Sequence, residues 1–195
     1  MRRPSSLLCC FCFLACGLNA TQVRSEDWTR FRGPNGQGVS SETELPIQWS
    51  ASENVAWKTS IPGNGWSSPI VHGEHLFLTT TTEDGESCHV ICVDRKTGNI
   101  RWDREVHRQQ TGAKRLQNSY ATPTPLTDGK QVYAVFADGT IVAVDYEGAT
   151  VWKNSEVKSH SLHGLGASPI LVGAQLIMPF DGSSADEKAL GCKTP

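Results

Sequence analysis

An excess of charge of either sign is missing from this sequence. Its 18 Lys and Arg residues stand against 20 Asp and Glu residues, for a formal net charge of -2 over 195 residues. So small a balance excludes the strongly basic surface by which proteins hold nucleic acids. The composition is otherwise ordinary for a globular protein, with 38% hydrophobic and 8% aromatic residues. We therefore expect a folded protein that does not bind nucleic acid.

Apolar runs long enough to span a bilayer, which takes about 20 residues, are also missing. The longest apolar run lies near the start of the chain and is shorter than this. That run, residues 7–18, follows Arg2 and Arg3 and precedes the small residue Ala20, as in a cleaved export signal. An alternative stays open, because the sequence Phe-Leu-Ala-Cys ending at Cys16 resembles a bacterial lipobox. Both interpretations predict an exported protein of the periplasm or cell envelope, with membrane contact only through a lipid anchor on Cys16.

Cysteine is scarce beyond this signal. Of seven cysteines, only Cys88, Cys92 and Cys192 follow it, and an odd number leaves at least one unpaired. Cys88 and Cys92 are four residues apart in a segment expected to be extended, which separates their Cα atoms by about 13 Å. A disulfide requires about 5–6 Å. The sequence therefore predicts that these two are unbonded, small apolar core residues rather than metal ligands.

Three tryptophans stand at nearly even intervals, Trp57, Trp102 and Trp152, each at the end of a similar stretch. Within each stretch, short runs of β-branched and aromatic residues alternate with turns that contain Gly and Asp. No segment has a convincing helical period, and the polar residues 103–118 are predicted to be a loop. Four short strands per repeat are typical of a β-propeller blade. We predict an all-β fold, an incomplete β-propeller of four-stranded antiparallel blades with about two and a half blades present.

The repeat also sets the domain boundaries. They are 1–20 for the signal, 21–54 for an N-terminal extension and 55–195 for a partial propeller, which comprises a blade at 55–102, a blade at 121–152 and a broken blade at 167–195. The first blade includes a single N-terminal strand around Trp57, to which we assign the completion of the last blade of a ring. We expect the chain to be a fragment of such a ring. The alternative is a small open-sheet protein that dimerises through its exposed blade faces.

Residues 92–102, Cys-Val-Asp-Arg-Lys-Thr-Gly-Asn-Ile-Arg-Trp, resemble the tryptophan-docking motif of propellers related to pyrroloquinoline quinone (PQQ) enzymes. The motif reads Ala, any residue, Asp, two of any, Thr, Gly, three of any, Trp, and Cys92 replaces the Ala. Residues 143–152 match with one deletion and without the Thr. The opening residues 28–34 also look like those of exported bacterial proteins of this class. A Ser-Pro or Thr-Pro pair opens each blade, which we place at Pro69, Pro123 and Pro169.

The chemistry of the motif explains its residue types. The Asp can accept hydrogen bonds from turn amides, and the Gly suits a positive φ. The Trp can pack between neighbouring blades, where its indole N–H needs a partner such as a backbone carbonyl. The predicted docking residues are Asp94, Gly98, Trp102, Asp145, Gly148 and Trp152.

Ligand sites in propellers usually lie at the axial channel, on the loops that lead into the innermost strands. Three such loops occupy equivalent places in the repeat, and one rim would bring them together. The candidate ligand-binding residues on these loops are Trp66, Asn118, Tyr120 and His163. The alternative is that they cap turns and fill the rim. No nucleophile beside a base and no convincing metal-ligand spacing can be read, so we predict no catalytic residue and no metal ligand.

The family resemblance leaves two functions open. Quinoprotein dehydrogenases of the family hold PQQ with an adjacent cysteine pair, a calcium site and a catalytic Asp, and the only adjacent pair here, Cys9–Cys10, lies in the signal. Many relatives keep the blades without a cofactor, including a lipoprotein of outer-membrane β-barrel assembly. The resemblance therefore favours a non-catalytic scaffold of the cell envelope that binds protein or glycan partners. A fragment of a PQQ-dependent dehydrogenase, with PQQ and calcium, is the alternative.

Overall fold

A computed structural model describes residues 26–111, 118–159 and 164–180. The regular elements in these ranges are all strands: β1 (Ile70–His72), β2 (His75–Thr81), β3 (Ser87–Asp94), β4 (Ile100–Arg108), β5 (Leu126–Thr127), β6 (Gln131–Val135), β7 (Ile141–Asp145), β8 (Thr150–Asn154), β9 (Ile170–Val172) and β10 (Gln175–Ile177). In the same ranges, no helix has the length and apolar character that crossing a membrane demands.

The strands form two complete antiparallel sheets and the start of a third. Strands β1 to β4 lie side by side in chain order and form blade 1, strands β5 to β8 form blade 2, and β9 pairs with β10. This confirms the predicted all-β fold, an incomplete β-propeller of four-stranded antiparallel blades. The predicted loop at 103–118 is wrong for residues 103–108, because β4 continues to Arg108. An outermost strand pairs along one edge and is largely exposed, so its polar residues look like a loop in the sequence.

The core lies in the seam between blades 1 and 2. Alternate residues of β3 contribute to it, including Cys88 and Cys92, together with Val142 and Val144 of β7. All four are fully buried, because stacked blades cover each other's faces. Cys88 and Cys92 are free thiols, which confirms the prediction from their spacing. Cys192 lies outside the described residues.

The positions of the blade openings need one correction. Strands β1, β5 and β9 begin at the residue after Pro69, Pro125 and Pro169. The equivalent proline of blade 2 is therefore Pro125, and the assignment of Pro123 was wrong. The sequence Thr-Pro occurs twice in succession at residues 122–125, and only the strand pairing chooses between the two.

A chain of hydrogen bonds joins these openings across the blades. The Ser68 amide donates to the Thr124 hydroxyl at 3.0 Å, and the Thr124 amide donates to the Ser168 hydroxyl at 3.0 Å. The hydroxyl residues before Pro125 and Pro169 are thus acceptors for the preceding blade. This explains why Thr and Ser, rather than apolar residues, stand at these two positions.

The N-terminal extension lies against the innermost strands. Trp28 and Val71 exchange two backbone hydrogen bonds, each of 2.8 Å, and the Thr127 amide donates to the Thr29 carbonyl at 3.0 Å. Strands β1 and β5 are the first strands of their blades, and we call their free edges the axial edge. The extension follows this axial edge from blade 1 to blade 2.

Candidate functional site

The turn after β3 is organised by one carboxylate. Asp94 accepts hydrogen bonds from the amides of Lys96 at 3.0 Å and Thr97 at 2.8 Å, and from the Thr97 hydroxyl at 3.0 Å. Arg101 also donates to it, from Nε at 3.1 Å. Gly98 then closes the turn at a φ of 76°, which an L residue rarely adopts. We call residues 94–98 the first docking turn.

Blade 2 repeats this arrangement after β7. Asp145 accepts hydrogen bonds from the amides of Glu147 at 3.1 Å and Ala149 at 2.7 Å. Gly148 has a φ of 87°. Residues 145–148 form the second docking turn, which is one residue shorter than the first.

Tryptophan side chains occupy both docking turns. The Trp102 indole N–H donates to the Tyr146 carbonyl at 2.8 Å, and a Cβ atom on Gly148 would lie 3.0 Å from Cδ2 of that ring. Trp57 makes the same contact with blade 1, donating to the Arg95 carbonyl at 2.9 Å. In both cases the acceptor is the residue that follows the motif Asp, and the ring lies over the motif Gly. The glycine is needed because any side chain there would overlap the indole.

Trp57 therefore occupies on blade 1 the place that Trp102 occupies on blade 2. Thr59 adds a hydrogen bond of 2.5 Å from its hydroxyl to the Gly98 carbonyl. Residues 55–58 lie outside the ten strands of the described residues, so the single N-terminal strand does not form here. A strand needs a partner, and the completion of a last blade by this segment stays a prediction.

Trp152 has a different environment from Trp102. It lies opposite Ala143 in the register of β7 and β8, as Trp102 lies opposite Cys92. Its side chain is 39% exposed, and its ring lies 6.0 Å from that of Tyr133. The structure describes two docking turns, and neither of them receives Trp152.

The candidate rim residues have different neighbours. The Trp66 amide donates to the Ala121 carbonyl at 3.0 Å, while its side chain is 62% exposed. The Tyr120 ring packs over Gly85, and Asn118 lies beside Gly164. The loops that carry Trp66 and Tyr120 are therefore adjacent. His163 lies outside the described residues, so its predicted place on the rim stays a prediction.

A polar network on β3 and β4 was missed in the sequence. The His89 Nδ1 atom lies 2.7 Å from Asp103 Oδ1, and its Nε2 atom lies 2.9 Å from the Ser87 hydroxyl. This order of atoms matches a serine-hydrolase triad. The Ser87 hydroxyl, however, also donates to the Glu105 carboxylate, and Ser87 is only 5% exposed. We interpret the network as a link between two strands, since the hydroxyl is bonded to a carboxylate rather than presented to a substrate.

A second polar link crosses the seam between the blades. His107 Nε2 lies 2.9 Å from Asp138 Oδ2, and the Gln109 side chain donates to the Gly85 carbonyl at 2.7 Å. The Gln109 carbonyl oxygen accepts from the Asp138 amide at 3.1 Å. The sequence pattern missed these residues because they lie in or just after the part of β4 that it predicted as a loop. Residues 103–109 are polar except for Val106, so the sequence carries no alternation of polar and apolar residues that could have found them.

The described residues do not fit the PQQ and calcium site that the resemblance implies. Cys88 and Cys92 are separated along β3 and buried in the seam, and Cys9–Cys10 lies outside the described ranges. Burial raises the pKa of both thiols, that of Cys92 to about 12. Across residues 26–111, 118–159 and 164–180, no three His, Cys, Asp or Glu side chains form a group that could hold a metal ion.

The buried thiols should resist alkylation in the native protein. Because the thiolate is the reactive form, a raised pKa and burial together slow the reaction. We expect brief iodoacetamide treatment at pH 8 to leave Cys88 and Cys92 unmodified, and the same treatment in urea to modify both. Peptide mass spectrometry makes the comparison, and fast native labelling of Cys88 would contradict the buried seam.

The first docking turn should make stability depend on acidity. The hydrogen bond from Arg101, followed by those from the amide and hydroxyl of Thr97, lowers the pKa of Asp94. A lowered folded-state pKa means that the stabilisation is present above the ordinary Asp pKa of about 3.9 and is lost as pH falls toward the folded value. The urea midpoint of Asp94→Asn should therefore lie well below that of the native protein at pH 7. The difference between the two urea midpoints should become smaller below about pH 4. A difference that does not change with pH would refute this account.

Comparison with solved structures finds propeller proteins at low similarity. A europium-containing methanol dehydrogenase has a TM-score of 0.48 and 18% identity, over 65% of this chain and 22% of that one. A quinohemoprotein alcohol dehydrogenase from Pseudomonas putida HK5 has a TM-score of 0.44 and 17% identity, over 65% of this chain and 18% of that one. BamB from Moraxella catarrhalis has a TM-score of 0.33 and 14% identity, over 57% of this chain and 40% of that one.

The chain spans between 18% and 40% of the length of these three structures. No curated protein matches its sequence significantly. The family model described as outer membrane protein assembly factor BamB matches residues 50–187. That match includes both docking turns and all ten strands. Since it covers more than half of the chain, the protein belongs to this family of PQQ-like β-propellers.

Proposed function

We propose that this protein is a non-catalytic PQQ-like β-propeller scaffold of the cell envelope, which binds protein or glycan partners. The observation that carries the proposal is a contrast between its polar and its apolar side chains. The groups that could do chemistry hold turns and strands together, while large apolar side chains are exposed.

The polar half of the contrast comes from the contacts described above. The carboxylates of Asp94 and Asp145 accept turn amides, and that of Asp138 lies against His107. A carboxylate with these structural partners is poorly placed to act as a general base, because the base must reach the substrate's proton. These groups support a role in architecture.

The exposed apolar side chains lie on the rim loop of Trp66 and on the N-terminal extension. Trp66 is 62% exposed on the rim, and Ile47 and Trp49 of the extension are 91% and 71% exposed. Exposed aromatic side chains are enriched where proteins bind each other, since a large rigid ring buries much area at a small entropy cost. A protein partner at the rim is the reading that this surface favours, and a glycan is the other outcome of the test.

An envelope location is supported by the export signal that the sequence predicts at residues 1–20 and by the family description, which names an outer-membrane assembly factor. Both a free periplasmic form and a form anchored through Cys16 are compatible with this role. Mass spectrometry of the mature N-terminus distinguishes them.

Site-specific photo-crosslinking in the envelope of a bacterial host tests the scaffold proposal. A photoreactive phenylalanine derivative at Trp66 should give one discrete adduct, protein or glycan, that unlabelled native protein suppresses. The same derivative at Lys153, an exposed position on the outermost strand β8, is the matched control and should give none. Equal labelling from both positions, or none from either, would refute a rim partner.

The dehydrogenase alternative is tested separately with PQQ and calcium. Scaffold function predicts no absorbance change on addition of PQQ and no reduction of an electron-acceptor dye with alcohol substrates. A tight quinone complex or substrate-dependent dye reduction by the full chain would replace the scaffold proposal with the enzyme.

A further inference from the structure

The axial edge of blades 1 and 2 has the features of a peptide-binding site. Strands β1 and β5 are edge strands of their sheets, and an edge strand presents unpaired N–H and C=O groups that accept an extended chain. In this molecule residues 26–29 occupy that edge. Trp28 exchanges two hydrogen bonds with Val71, and Thr29 accepts one from Thr127. Three backbone bonds therefore hold a short segment across two blades.

One side chain adds chemical selectivity to this backbone pairing. The Asp27 carboxylate accepts the Gly73 amide at 2.8 Å through Oδ1 and lies 4.0 Å from His72 Nε2 through Oδ2. His72 Nδ1 in turn lies 2.9 Å from the Tyr146 hydroxyl. The edge thus contacts a carboxylate one residue before the paired position, which here carries the aromatic Trp28.

The segment belongs to a loop that is folded on itself. Glu26 accepts the Ser40 hydroxyl at 2.9 Å and the Ser41 amide at 3.1 Å, which closes the loop at its base. Arg30 donates to the Gly33 carbonyl at 3.1 Å, and the Trp28 ring lies so close to Gly33 that a Cβ there would be 2.7 Å away. We call residues 26–42 the extension loop. These internal contacts use atoms other than the backbone atoms of Trp28 and Thr29 that pair with the blades.

We propose that the axial edge of β1 and β5 binds an extended segment of a partner protein in which an acidic residue precedes an aromatic one, and that the extension loop is its resident competitor. The partner's backbone takes the three bonds now made to Trp28 and Thr29, and its carboxylate takes the place of Asp27. Preorganised loops bind at a low entropy cost, so the resident loop sets a threshold that a partner must exceed. This inference deepens the proposed scaffold function, because it gives the chemistry of one partner.

A labelled synthetic peptide of residues 26–42 serves as the probe, and fluorescence anisotropy with the full chain gives its affinity. In the Asp27→Ala protein the resident loop is weakened, so the peptide should bind at least about tenfold more tightly than to the native protein, which corresponds to about 1.4 kcal/mol. The same peptide carrying Asp27→Ala is the matched control and should lose most of this affinity. Because that change is in the peptide, it cannot act by unfolding the protein.

Three results would overturn the inference. They are equal binding of the peptide to the native and Asp27→Ala proteins, equal binding of the two peptides, and self-association of the Asp27→Ala protein through exchanged loops in light scattering, which would make a second copy the occupant. The crosslink at Trp66 is made on the rim and does not involve this edge. A failed peptide experiment with an intact Trp66 adduct would therefore refute this site alone, and the loss of the adduct alone would refute the rim partner.

Discussion

Trp102→Ala is expected to lower the free energy of unfolding by about 3–5 kcal/mol. The substitution removes the ring that fills the space between β4 and the second docking turn. It also removes the indole N–H that donates to the Tyr146 carbonyl. The ring also lies 5.9 Å from that of Phe77, which is fully buried in the seam core. Loss of the indole therefore leaves a cavity between the blades as well as an unpaired acceptor. Urea unfolding followed by circular dichroism measures the effect.

Trp152→Ala is the matched control for this prediction. Both tryptophans occupy the same register in their blades. Trp152, however, is 39% exposed and packs on no docking turn in the described residues. Exposed positions usually tolerate substitution within about 0.5 kcal/mol, and contact with Tyr133 raises the expected loss to about 1 kcal/mol at most. Similar losses of unfolding free energy in the two variants would show that the contact of Trp102 with the second docking turn does not hold the blades together.

Gly85→Ala is expected to destabilise the protein by about 2–5 kcal/mol, the sum of two effects. Gly85 has a φ of 81°, and an L residue in left-handed backbone costs about 1–2 kcal/mol. An added Cβ would also lie 2.0 Å from Cδ2 of Tyr120, so the ring must move, and overpacking of this kind costs about 1–3 kcal/mol. Thermal or urea unfolding provides the measurement.

Gly173→Ala separates the two effects. Gly173 also has a positive φ, 59°, in a two-residue turn, but a Cβ there would meet nothing within 4 Å. Its substitution should cost only the backbone part, about 1–2 kcal/mol. If Gly85→Ala costs no more than Gly173→Ala, then Tyr120 does not pack on the turn as described.

The rim loops show which features of the structure the sequence repeat can predict. Equivalent positions in successive blades correctly brought the loops of Trp66 and Tyr120 together, because blades stack in a regular order. The side chains nevertheless diverge, since Tyr120 turns to the glycine at position 85 and Trp66 points to solvent. A period in sequence places backbones, whereas the direction of each side chain depends on which neighbour leaves room for it.

Sequence patterns alone were sufficient for the blade repeat, for most of the strands, for the Asp-centred turns and for the separation of Cys88 from Cys92. Each of these depends on contacts within a few residues, or on a period that repeats along the chain. Three features became visible only in three dimensions: the docking of Trp57 on blade 1, the bonds of Ser87 to His89 and Glu105, and the position of the extension loop on the axial edge. Those contacts join segments separated by tens of residues or depend on the bulged pairing of β3 with β4, and neither pattern nor composition carries such distances.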